Sequence, residues 1–300
     1  MPLHHSFFIE RSKWRVWHAR RNTEMLFGLV LRYLFRRKFK LVFTSASQRT
    51  HSKYTKGLIA RMDHVISTSH KTASYLRRPS TVILHGIDTD PFTPVDEKKA
   101  LRESLGLPDG KLIGCYGRIR HQKGTDIFVD AMIDVCKRES SIYAIVMGGA
   151  IGKHRDYEMQ LRHKVKDAGM SERILFKSEV SVDQMPVWYQ ALDLFVAPQR
   201  WEGFGLTPIE AMSCGVPVVA TRVGAFEDIV HDGKTGHLVN TGDPQEMAGV
   251  ILDLMQSASA LANMSEAARV DILARFRLQR EADEILAVYE NLIGRPDWRR

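Results

Sequence analysis

Cysteine is scarce in this chain of 300 residues: Cys115, Cys136 and Cys214, an odd number at wide spacing in apolar surroundings. That excludes a disulfide framework and reads as buried, reduced thiols of a cytosolic chain. Long apolar runs are missing as well. No stretch approaches the ~20 residues needed to cross a bilayer, and no apolar run with a small-residue cleavage site opens the chain, so neither a span nor a secretory leader is expected. The longest candidate, 25–35, contains Arg32 and runs into Arg36, Arg37 and Lys38. The twelve histidines form no His-Glu-x-x-His pair, no Gly-x-Ser-x-Gly elbow occurs, and no Gly-Lys-Ser/Thr ending completes a Walker loop. Metallohydrolase, serine-hydrolase and P-loop readings lose their support. Zinc-ligand spacing, basic-zipper heptads and a Lys/Arg-Gly-aromatic strand signature are also missing, which sets nucleic acid aside as a partner.

What is present is an ordinary globular composition, 44% hydrophobic and 26% charged, with charge unevenly placed. Residues 1–90 carry 17 Lys or Arg against 5 Asp or Glu, whereas residues 91–300 carry 26 against 30. A basic first region facing a near-neutral second one suits a polyanion: nucleic acid, lipid headgroups or a phosphorylated saccharide. Within it, 14–40 interleaves Trp14, Trp17, Leu26, Phe27, Leu31, Leu34 and Phe35 with arginines. The spacing predicts a helix whose apolar stripe faces either a membrane interface or the protein core.

From Lys111 onward, short β-branched runs alternate with amphipathic stretches, the pattern of βαβ units on a parallel sheet. Strands are predicted at 112–116, 142–147, 174–176, 194–197, 217–220 and 236–239. Helices are predicted at 124–138, 155–168, 182–191, 208–213, 244–256, 258–274 and 277–292. This is a doubly wound domain, whose ligands belong at the carboxyl ends of the strands. The first region offers only three strand candidates, 41–45, 65–67 and 81–84, and the Pro- and charge-rich segment 88–96 reads as a linker. The domains expected are therefore 1–95, 96–276 and a closing helix in 277–300 packing back toward the first domain.

The first site candidate, Gly117-Arg118-Ile119-Arg120-His121-Gln122-Lys123-Gly124, follows a strand and precedes a helix. A glycine turn admits a ligand close to the backbone, and the helix start near Thr125 presents unpaired N–H groups. Arg118 and Lys123 add two full charges, which makes the stretch either a diphosphate cradle or a solvated basic loop. The second, Arg200-Trp201-Glu202-Gly203-Phe204-Gly205-Leu206-Thr207-Pro208-Ile209-Glu210, brackets a glycine-bearing turn with two acids. Thr207 as cap, Pro208 at the first helical position and Glu210 three residues after the cap spell a capping box. Glu202 has no such structural reason and is placed for a substrate. Gly148-Gly149-Ala150-Ile151-Gly152 and Gly224 are weaker glycine turns after strands.

Arg118 with Lys123, then Glu202 and Glu210 in Glu-Gly-Phe-Gly-Leu-Thr-Pro-Ile-Glu-Ala-Met, then Gly-Val-Pro-Val-Val-Ala-Thr at 215–221, resembles the retaining glycosyltransferases of family 4 over 82–292. Trp17-His18-Ala19-Arg20-Arg21-Asn22 and Phe43-Thr44-Ser45-Ala46-Ser47-Gln48-Arg49 look like lipopolysaccharide core mannosyltransferases of Gram-negative bacteria. The resemblance implies the α/β GT-B fold: two Rossmann-like doubly wound domains facing a cleft, the first incomplete here because the chain starts after the family's opening strands. It implies a hexosyl transfer, with mannose from GDP-mannose, onto a lipopolysaccharide core or related saccharide acceptor. The donor-binding set it implies is Gly117, Arg118, Lys123, Glu202, Gly203, Phe204, Gly205, Leu206, Thr207 and Glu210. Glu202, Arg118 and Lys123 are the catalytic residues, Glu210 holds the nucleotide ribose, and neither metal nor cofactor is required. His85 stands where the family commonly has Asn. The location implied is cytoplasmic, peripheral on an anionic inner-membrane face. The alternative is a non-catalytic nucleotide-sugar-binding or membrane-associated scaffold derived from a shortened enzyme.

Overall fold

In the computed structural model, which describes residue 10 and residues 12–294, each strand pairs parallel to its neighbours. In chain order the elements begin β1 (Arg15–Ala19), α1 (Asn22–Tyr33), β2 (Phe39–Ser45), α2 (Lys53–Ile59), β3 (His64–Ser67), α3 (His70–Ser74) and β4 (Thr81–Val82). They continue with α4 (Lys98–Ser104), β5 (Lys111–Tyr116), α5 (Thr125–Arg138), β6 (Ile142–Met147), α6 (Arg155–Asp167), β7 (Ile174–Lys177), α7 (Met185–Gln190) and β8 (Leu194–Ala197). Last come α8 (Thr207–Ser213), β9 (Val218–Thr221), α9 (Phe226–Ile229), β10 (Gly236–Val239), α10 (Pro244–Gln256), α11 (Ala258–Arg275) and α12 (Leu278–Ile293). One unit comprises the described residues up to Gly86 together with those from Leu278, and the other comprises Ile87–Arg277.

In the first unit the four strands lie in sequential order, β1-β2-β3-β4. Right-handed crossovers between sequential parallel strands put α1, α2 and α3 on one face. The strand period of two divides the residues accordingly: Leu41, Phe43 and Val65 bury against Met25, Leu29, Leu58, Ile59 and Met62. Val42, Ile66 and Ile83 point the other way and pack with Val288 and Ile285 of α12. Ser52 and Ser69 start α2 and α3 by accepting from Thr55 N at 3.2 Å and Thr72 N at 3.0 Å.

The stretch 14–40 is not one helix, which corrects the reading above. It is β1, α1 and the start of β2, because Glu24 reaches back to Arg20 N (2.7 Å) and Arg21 N (3.2 Å) and stops the helix there. Trp17 lies on β1 and donates from Nε1 to Glu24 O at 2.9 Å. Its indole occupies the space beside Gly28, where an added Cβ would come within 2.5 Å of Trp17 Cδ1. The apolar stripe of α1 thus faces protein, while Leu26, Tyr33 and Leu34 remain 46%, 63% and 72% exposed.

In the second unit the strand order is β10-β9-β8-β5-β6-β7. From β5 the chain moves outward through β6 to β7, then crosses back to β8 on the other side of β5. The strand order reverses between β5 and β8, the position at which a doubly wound sheet holds its ligands. Runs such as Ile142–Met147 and Leu194–Ala197 are almost wholly buried, as strands covered on both faces should be.

Candidate functional site

Three loops interlock at the carboxyl end of this sheet, and glycines permit the approach. Gly148 (φ 145°) leaves room for Gly117 O, which an added Cβ would meet at 1.9 Å. Gly124 (φ 69°) ends the β5 loop, and a Cβ there would lie 1.8 Å from Pro198 O in the loop after β8. Neither position tolerates a side chain. Backbone bonds add to the fit: Ile119 N donates to Gly149 O at 3.2 Å and Arg200 N to Gln122 O at 3.0 Å.

Charge then ties the loops to α5, which begins at Thr125 as the sequence predicts. The Arg200 guanidinium forks onto Asp126, Nη1 to Oδ1 at 2.6 Å and Nη2 to Oδ2 at 2.8 Å, and Nη1 also donates to His121 O at 2.8 Å. Tyr157 donates to Asp126 Oδ1 at 2.7 Å while accepting from Asp126 N at 3.1 Å. Burial pushes the Asp126 carboxyl up, but the bonds from Arg200 and Tyr157 outweigh it and hold the group below its ordinary value. Sequence reasoning missed this buttress. Its three members are 31 and 74 residues apart, and an acid in the first turn of a helix was the one available signal.

Across the reversal, Lys123 Nζ donates to Glu202 Oε2, with the two side chains 24% and 15% exposed. Gly203 N donates to Glu202 Oε1 at 3.0 Å. Gly205 (φ 84°) makes space for this carboxylate: a Cβ there would meet Phe226 Cε1 at 2.5 Å and Glu202 Cγ at 2.9 Å. Phe204 is buried, Leu206 is 43% exposed at the start of α8, and Arg118 is exposed on the turn that follows Gly117. The structure therefore brings Lys123 and Glu202 into contact and puts Arg118 on the β5 loop at the same rim. Gln199, 4% exposed, has its Oε1 without a hydrogen-bond partner among the described residues. Such an atom is costly by about 1–3 kcal/mol unless water or a ligand donates to it.

Glu210 does not cap α8. Leu206 is the capping residue, Thr207 lies inside the helix, and the Glu210 carboxylate turns inward to accept from Tyr189 Oη at 2.7 Å. The expected capping box fails because the helix starts one residue earlier than the Thr-Pro signal suggests. Tyr189 is fully buried among Tyr116, Phe195 and Phe92. Burial pushes the Glu210 carboxyl up from its ordinary value, and the Tyr189 bond partly opposes this.

The remaining motifs are structural where the structure describes them. Gly148 and Gly149 serve the loop packing above. The three cysteines are unpaired and buried, and burial pushes Cys136 up to about 11 and Cys115 and Cys214 up to about 12, which disqualifies them as nucleophiles at neutral pH. Asp88-Thr89-Asp90 folds on itself, with Asp88 Oδ1 accepting from Asp90 N at 3.1 Å. Among the described residues no helix is long and apolar enough to cross a membrane.

Residues 97–271 match the family described as glycosyl transferases group 1. The chain is 51% identical over 282 residues to the lipopolysaccharide core biosynthesis mannosyltransferase LpsB of Rhizobium meliloti (strain 1021), covering 93% of this chain and 80% of that one. It is 44% identical over 284 residues to the corresponding enzyme LpcC of Rhizobium leguminosarum bv. viciae, covering 95% and 80%. Among solved structures, Anabaena Alr3699/HepE in complex with UDP superposes with a TM-score of 0.86 at 23% identity, covering 96% of this chain and 80% of that one. The carboxyl-terminal domain of a group 1 glycosyl transferase from Francisella tularensis superposes with a TM-score of 0.62 at 31% identity, covering 65% and 100%.

Proposed function

The chain belongs to the group 1 glycosyl transferases, and on that premise we propose that it moves mannose from GDP-mannose onto a lipopolysaccharide core saccharide with retention of anomeric configuration. Departure of the nucleoside diphosphate builds negative charge on the leaving oxygens and positive charge at the anomeric carbon. Lys123, Arg118 and the positive end of α5 supply the charge that meets the leaving oxygens in this reading. In this reading their charge suffices without a divalent ion. Lys123 moves from Glu202 to the diphosphate as the donor enters, which leaves the Glu202 carboxylate to accept from hydroxyls of the transferred sugar. Glu210, buried on Tyr189, takes the nucleotide ribose.

The observation that carries the reading is the Lys123–Glu202 contact across the point where strand order reverses. The choice of mannose and of a core acceptor leans on kinship to the two rhizobial enzymes. The test offers labelled GDP-mannose, GDP-glucose and UDP-glucose with a core oligosaccharide, and reads the new linkage by NMR. Mannosyl transfer with an α-linked product is expected. An inverted product or preference for another donor overturns the assignment, and nucleotide binding with no transfer to any core acceptor supports the scaffold alternative.

The enzyme works at an anionic membrane surface in this reading. Trp14 (48% exposed), Tyr33 and Leu34 stand beside Arg36, Arg37, Lys38 and Lys40, an apolar and basic margin suited to headgroups. Flotation with anionic liposomes should be salt-sensitive and lost on vesicles of neutral lipid. Indifference to lipid charge removes this part of the proposal.

A further inference from the structure

The helical layer of the first unit holds a half-open cavity of about 620 Å³ between α2 and the segment that follows α3. Its floor is apolar, formed by Ile59, Met62 and Leu76, and its rim carries Lys56 and Arg77, with no acidic residue in the lining. The far wall is fixed: Arg78 Nη1 donates to Ile59 O at 3.1 Å and to Met62 O at 2.8 Å, tying the end of α2 to the crossing segment.

Gly57 points to an occupant. It sits within α2 with no left-handed backbone, and an added Cβ would meet only Arg61 Nη1 at an ordinary 3.6 Å. Neither turn geometry nor protein packing calls for glycine there, although glycine weakens a helix interior. The residue opens onto the cavity, so what its missing side chain leaves is room beside an apolar floor and below two cations.

We infer that this cavity binds an anionic amphiphile, a single alkyl or acyl chain seated on Ile59, Met62 and Leu76 with its phosphate or carboxylate head at Lys56 and Arg77. The volume falls in the usual range for small-ligand sites. A chain supplies the apolar area the floor can cover, and the head meets the charge of the rim. Its lining residues all belong to the first unit, and the inference stands whichever nucleotide-sugar the enzyme uses.

The test is calorimetry on the full chain with decyl phosphate, dodecyl phosphate, inorganic phosphate and dodecyl maltoside, each below its micelle concentration. Each methylene that enters should tighten binding roughly fourfold, so dodecyl phosphate should exceed decyl phosphate by about an order of magnitude. Inorganic phosphate and the uncharged maltoside should bind at least ~10-fold more weakly. Gly57→Leu fills the space and should cost dodecyl phosphate at least ~10-fold in affinity with no loss of melting temperature, since leucine favours the helix. Unchanged affinity in Gly57→Leu, or no dependence on chain length, overturns the inference. Should Gly57→Leu not fold, exposed Arg77→Gln decides: it should weaken dodecyl phosphate several-fold and leave dodecyl maltoside unaltered, and an unaltered phosphate affinity contradicts the assignment.

Discussion

The two sheets both run parallel throughout, yet they offer different kinds of surface. In the second unit the order reverses between β5 and β8, and the loops after those strands meet where Lys123, Glu202 and the start of α5 converge. In the first unit the described strands run in simple succession, the three crossover helices share one face, and no reversal opens the rim. Its binding features lie instead in the helical layer and in an excess of 17 basic over 5 acidic residues within 1–90. Winding order thus decides where a parallel sheet can hold a ligand, and net charge decides what the other unit can meet.

The contrast can be broken at single residues. Lys123→Ala removes the cation at the reversal and should cut turnover by about 10²–10³-fold, with steady-state transfer as the readout. Melting should also fall, because Glu202, 15% exposed, loses its cation. Unaltered transfer removes the cradle. Gly124→Ala drives a Cβ into Pro198 O at 1.8 Å from a positive φ. It should destabilise the second unit by about 3 kcal/mol or more, measured by urea unfolding. Gly57→Ala, the matching change in α2, should instead stabilise the first unit by roughly 0.5–1 kcal/mol, since nothing there opposes a methyl. If the two glycines respond alike, the distinction between a forced and an unforced glycine fails.

Asp126→Asn should loosen the buttress and raise the donor KM several-fold while kcat falls less, separable by initial-rate kinetics. Because the folded Asp126 titrates below its ordinary value, its contribution is present above the usual carboxylate range, about pH 4, and is lost as acid titrates the folded group. His18 gives the first unit a pH dependence of its own. Half-buried and held between Thr44 Oγ1 and Tyr289 Oη, each at 2.6 Å, it is lowered to about 4 by desolvation first and by Arg20 second. The unfolded imidazole binds a proton below about pH 6.5 and the folded one does not until near pH 4. Stability of the first unit should therefore fall from pH 6.5 toward 4, and His18→Gln should flatten that part of the profile.

Much of the second unit was legible beforehand because its strands are buried on both faces and read as unbroken apolar runs. Strands predicted at 142–147, 194–197 and 236–239 stand at those bounds. β1 was not legible: Arg15, Val16, Trp17 and His18 are only half-buried, and their pattern merges with the helical period of α1. The capping box read around Glu210 fails although Thr-Pro-x-Glu is a strong local signal, since the partner of Glu210, Tyr189, is distant and reached only through packing. Arg200, Asp126 and Tyr157 were invisible for the same reason. Local chemistry announces loops and helix starts, but contacts between loops depend on which strands become neighbours.

Hydrogen–deuterium exchange of the full chain with and without GDP addresses the central claim directly. Protection is predicted at 117–127 and 199–210 together, the loops on either side of the β5–β8 reversal. Protection confined to residues before Gly86, or to one of the two loops, would contradict it.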